Sequence, residues 1–84
     1  MEKPTIHLNG SGAKRLHENY ERVYVACFDL LGALAIAAPN GRDYYPQGND
    51  AFKKAREEHH TRLRIVTDLR KEIEEMLNHI SEWL

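Results

Sequence analysis

One stretch limits what this chain can fold into more than any other: Val23 to Ala38, VYVACFDLLGALAIAA. Only Asp29 carries charge in these sixteen residues. Wound as a helix, the run is apolar on nearly every side, whereas one neighbouring helix covers a stripe of only about 100°. It therefore predicts the central helix of an assembly larger than one chain. The run falls short of the ~20 residues that cross a bilayer, and Asp29 sits in its middle, so a membrane span is not expected.

Chain length sharpens the need for a partner. Eighty-four residues make one domain, and so small a core contributes about 3–5 kcal/mol on its own. Some staple is needed. Cys27 is the lone cysteine, so it forms no disulfide within the chain. A single thiol inside an apolar run reads as a small buried hydrophobe, as in a reducing cytoplasm. Net charge is −1, with 12 Lys and Arg against 13 Asp and Glu. That balance disfavours a general nucleic-acid binder, which carries a basic excess, and equally an acidic mimic of the DNA backbone. MEKPTIHLNG has no apolar stretch of the kind a secretory signal needs. Cytoplasmic residence is the expectation.

The pattern predicts a leader over 1–11, a first helix over 12–38, a loop over 39–49 and a second helix over 50–83. In the leader, Thr5 to Leu8 alternates and ends at the turn pair Asn9-Gly10. Ser11 is a suitable N-cap. Along the first helix Leu16, Tyr20, Val23, Cys27, Leu30 and Leu34 are spaced 4, 3, 4, 3, 4, a heptad seam facing one neighbour. Tyr24, Leu31 and Ala35 widen it. Val25, Phe28, Gly32 and Ile36 form a second stripe. Pro39 ends the helix, having no amide hydrogen and biasing Ala38 away from helical geometry. The loop PNGRDYYPQGN is longer than most helix–helix connections. Asn49 or Asp50 caps the second helix. Its seam is Phe52, Ala55, His59, Leu63, Val66, Leu69, Ile73, Met76, Ile80 and Trp83, flanked by Ile65, Leu77 and Leu84, with a charged opposite face.

These pieces predict an all-α antiparallel helical hairpin. Leu34 is expected near Phe52 and Leu16 near Ile73. Ile80, Trp83 and Leu84 then overhang the start of the first helix, where Ile6 and Leu8 are available as cover. The stripe Val25, Phe28, Gly32 and Ile36 stays bare. The economical solution is a homodimer in which those residues meet, giving a four-helix bundle.

Few residues invite chemistry. Glu58, His59 and His60 follow Glu57, and Glu-x-x-His is a di-iron spacing. Asp29 is the only acid at the matching height on the first helix, which leaves such a site short of carboxylates. No metal or cofactor is expected. Cys27 lies in the seam, away from the exposed, electropositive setting that a nucleophilic thiol needs. Ser11 and Ser81 have no base nearby in sequence. No phosphate loop, zinc spacing or HEXXH occurs, and an enzyme is not expected. Lys53, Lys54, Arg56, Arg62, Arg64, Arg70 and Lys71 form a basic cluster, but Glu57, Glu58 and Asp68 interleave with it. A DNA- or RNA-binding regulator using that face is the alternative reading. The loop is the sharper candidate. Arg42, Asp43, Tyr44, Tyr45 and Pro46 combine interface-anchor side chains with a stiff backbone, although the two tyrosines equally suit capping the end of the hairpin.

Ile6-His7-Leu8-Asn9-Gly10 together with Pro39-Asn40-Gly41-Arg42-Asp43-Tyr44-Tyr45-Pro46-Gln47-Gly48 resembles a family of small uncharacterised proteins encoded by phages and prophages of proteobacteria. The resemblance implies the same helix–loop–helix layout, and an accessory protein made in the host cell during infection or lysogeny. Such a protein is expected to bind and modulate a host protein, for example as an inhibitor of defence or regulation. It assigns no role to any residue.

Overall fold

Pro39 divides the molecule. In the computed structural model, which describes residues 1–6 and 11–84, α1 runs over Ser11–Ile36, α2 over Gly41–Tyr44 and α3 over Asn49–Ser81, with a 3-10 turn at Tyr45–Gln47. The two long helices pack as an all-α hairpin. Leu8 and the Asn9-Gly10 turn lie outside the described residues, and so does the Ser11 side chain.

α1 stops two residues short of the predicted Ala38. Ala37 still donates to the Ala33 carbonyl at 3.0 Å, and Ala38 to Ala35 at 3.4 Å. The pyrrolidine of Pro39 then forces the chain out of helix. The connection beyond Pro39 is a pair of helical turns, where the sequence predicts a loop. Asn40 sits in extended geometry and its Oδ1 accepts from the Arg42 amide at 2.9 Å, capping α2. Gly48 then turns the chain with φ +99°, in the region favouring glycine, and supplies the N-cap of α3 with no side-chain bond. Asn49 and Asp50 therefore lie inside α3, not at its cap. α3 ends two residues before the predicted Trp83.

The contact between the long helices corrects the predicted seam. On α1, Tyr20, Tyr24, Leu31 and Leu34 are half-buried and Cys27 is buried. Val23 and Leu30, placed in the seam by spacing, are 40% and 48% exposed. Positions 24 and 31 satisfy the same 3–4 spacing around 20, 27 and 34, and both alternatives are apolar. On α3, His59, Val66, Ile73, Met76 and Ile80 are buried as the pattern requires, whereas Leu69 and Trp83 are exposed.

At the leader end the two long helices share a buried cluster. Ile6, Ala13, Met76 and Ile80 form the buried cluster, with Leu16 packed against it. Phe52 packs on Tyr44, ring centroids 6.3 Å apart, and a Cβ on Gly41 would stand 3.8 Å from its ring. The helical turns thus supply neighbours of Phe52. The leader behaves as expected at Ile6, which is 8% exposed. His79 Nε2 lies 3.0 Å from the Pro4 carbonyl and fixes the same segment. Trp83 and Leu84 remain exposed beyond that cover.

The result is one helix thick. The Cα trace measures 62 × 20 × 12 Å. Its radius of gyration is 18.5 Å, against about 12 Å for a compact domain of this length.

Candidate functional site

Among the described residues, the chemistry-bearing side chains do not converge. Among the described residues, no three His, Cys, Asp or Glu side chains are placed to hold a metal ion. Glu58 turns outward to Arg62 at 4.0 Å. His17 pairs with Glu21 at 3.4 Å, one turn along α1. Among the described residues His59 alone is both polar and buried, and its Nε2 has no hydrogen-bond partner there. It lies beside a shallow hollow that Ala37, Ala38, Tyr44 and Ala55 also line. Cys27 is buried in the helix contact.

The basic cluster of α3 is partly engaged by its own chain. The Arg56 guanidinium lies 5.7 Å from the centre of the Phe52 ring, and that of Arg70 lies 5.3 Å from Phe28. Arg62 faces Glu58. Cations seated on aromatic faces or carboxylates are less available to phosphates.

Two surfaces stand out instead. The first is the tip. Tyr44 is half-buried against Phe52, which makes it the cap of the hairpin. Tyr45 is 78% exposed, and Arg42, Asp43 and Pro46 are exposed beside it. Of the five predicted partner-binding residues, four are exposed on the pair of turns and Tyr44 is half-buried.

The second surface is the uncovered circumference of α1. Val25 is 53% exposed, Phe28 49% and Ile36 90%, and a Cβ on Gly32 would meet nothing within 4 Å. The predicted stripe is largely exposed among the described residues. It is also less uniform than its spacing suggests. Arg70 overlies the Phe28 ring, and Glu18, Arg22 and Asp29 stand around Val25.

A second bare stripe is hidden by the heptad spacing, which assigns Val23 and Leu30 to the seam. Val23, Ala26, Leu30, Ala33 and Ala37 are all exposed, and they repeat at spacings of 3, 4, 3, 4. At about 100° per residue, Val23 and Leu30 lie to one side of Cys27 and Phe28 to the other. On α3, Leu69 and Ile65, 43% and 62% exposed, lie on one side of Val66 and Arg70 on the other. Arg70 meets Phe28, so Leu69 and Ile65 share the remaining side with Val23 and Leu30. Ile6 covers the continuation of this side at Met76 and Ile80. The apolar face beyond that cover is open.

Among the described residues, no single helix is long and apolar enough to cross a membrane; α1 with the turns after Pro39 passes that test only as a pair bent by 62°, on length and composition. No family model, curated protein or solved structure matches the chain. The phage-type resemblance therefore rests on the two quoted sequence motifs alone.

Proposed function

We propose that this protein is a non-enzymatic binding module: a helical hairpin that associates through the apolar surface of α1 and holds a protein partner at its tip. One observation carries the reading. A compact monomer of 9.8 kDa exposes about 5,200 Å², whereas this chain exposes 6570 Å². The excess is of the order that one side of a standard protein interface buries, about 800 Å², or somewhat more. Among the described residues, the large apolar side chains exposed on α1 and α3 include Val23, Val25, Phe28, Leu30, Ile36, Ile65 and Leu69, and soluble chains rarely leave such groups in contiguous patches.

The tip supplies the specific contact. Tyr45 and Arg42 are the side-chain types that dominate interface energetics. The Asn40 cap and the glycine turn at Gly48 hold them in place, which lowers the ordering cost of binding. In the accessory setting that the motif resemblance implies, the partner is a host protein and the chain works in the host cytoplasm.

The test is capture from host lysate with the wild type beside an Arg42→Ala, Tyr45→Ala variant. Tyr44 is left in place because it packs on Phe52. A partner held by the wild type from low to moderate salt and lost by the variant supports the reading. Equal recovery by both removes the tip. Recovery that collapses with modest salt points to phosphate contacts and the alternative nucleic-acid reading.

A further inference from the structure

We infer that the open face formed by Val23, Leu30, Ile65 and Leu69 is covered by a second copy of this chain, stacked antiparallel across a twofold axis at the height of Phe28 and Thr67. This deepens the associative half of the reading above and moves the dimer contact away from Val25, Gly32 and Ile36.

The face is self-complementary under that one operation. Ala13 clusters with Ile80, and Ala38, Ala55 and His59 line one hollow. Those two levels place Phe28 opposite roughly the middle of α3, near Thr67. A twofold axis crossing the hairpin there lays α1 on α1 and α3 on α3, each antiparallel. On α1 it sets Val23 against the partner's Ala33, and Ala26 against the partner's Leu30, large against small at both places. On α3 it sets Ile65 against the partner's Leu69. The same axis brings Arg62 to the partner's Glu72, and Glu72 to the partner's Arg62. Both residues are exposed. Among the described residues of one chain, Arg62 pairs with Glu58 alone, at 4.0 Å with both side chains more than half exposed. A single axis thus satisfies apolar and charged groups on both helices, as an isologous interface requires.

The alternative face does less well. An antiparallel pair centred on the Val25–Ile36 stripe brings Asp29 into the apolar contact, and Arg70 already occupies the Phe28 ring. The hairpin is also a single layer 12 Å deep in Cα trace, whereas domains close their cores with at least two layers. The stacked copy supplies the second layer and completes a four-helix bundle.

The experiment measures the dimer dissociation constant by sedimentation equilibrium for the full chain and four variants, with helicity checked by circular dichroism. Leu30→Glu is expected to weaken the dimer at least a hundredfold while the hairpin stays helical. Arg62→Glu alone and Glu72→Arg alone each weaken it about tenfold, since two favourable pairs become two repulsive ones. Combining Arg62→Glu with Glu72→Arg restores the wild-type constant to within about threefold, because the pairs are re-formed with reversed sign. Positions 62 and 72 are about 15 Å apart along one helix, so rescue is possible only between copies. A dimer insensitive to Leu30→Glu, a charge swap without rescue, or a wild type monomeric at all concentrations each overturns the proposal. The tip variant Arg42→Ala, Tyr45→Ala is expected to dimerise normally, so failure of partner capture and failure of dimerisation remain separate results.

Discussion

His59 shows at the scale of one residue how this hairpin is held. It is 5% exposed, and its Nε2 has no hydrogen-bond partner among the described residues. A buried polar atom without a partner costs about 1–3 kcal/mol. His59→Met keeps a similar volume and removes that atom. It is expected to raise stability by about 1–2 kcal/mol, read as a higher urea midpoint, and a lower midpoint would show that the ring is satisfied. Ile6 acts in the opposite sense. It is buried against Ala13, Met76 and Ile80, and truncation of a buried Ile costs about 2–5 kcal/mol. Ile6→Ala is expected to lower the thermal midpoint by several degrees and to speed amide exchange at the end of α3. Unchanged exchange there would mean that the leader is not part of the core.

At the scale of elements, most of what is legible in the sequence comes from periodicity, and what is not comes from its failure. α3 alternates apolar and charged faces, so its buried residues His59, Val66, Ile73, Met76 and Ile80 follow from spacing. α1 is apolar around most of its C-terminal half. Tyr24 and Leu31 compete with Val23 and Leu30 for the same seam, and nothing in the composition selects between them. The phase is decided by α3, which brings Arg70 to Phe28 and leaves Val23 outward. At the tip, residue types alone suit both tyrosines to either role. The helical turns divide those roles, Tyr44 to the hairpin and Tyr45 to the outside. Gly32 tests the phase directly. It lies mid-helix with open space around its Cα, so Gly32→Ala is expected to stabilise α1 by about 0.5–1 kcal/mol. It should leave the dimer constant unchanged, because the proposed contact lies on the other side of α1. A weakened dimer would return the interface to Val25, Gly32 and Ile36.

For the whole molecule, the governing fact is a shortage of interior. The chain is 62 Å long and one helix thick. Its buried residues occur at the leader end, around Ile6 and Ile80, and sparsely along the helix contact. Between them, Val23, Leu30, Ile65 and Leu69 face outward together. The tip residues Arg42 and Tyr45 and the face of Val23, Leu30, Ile65 and Leu69 share no residue, so partner binding and pairing are tested separately. The most direct measurement is the solution mass of the full chain by sedimentation equilibrium at tens of micromolar. The predicted species has twice the 9.8 kDa mass of one chain. A species of 9.8 kDa at every concentration, with its helices intact, would contradict the account.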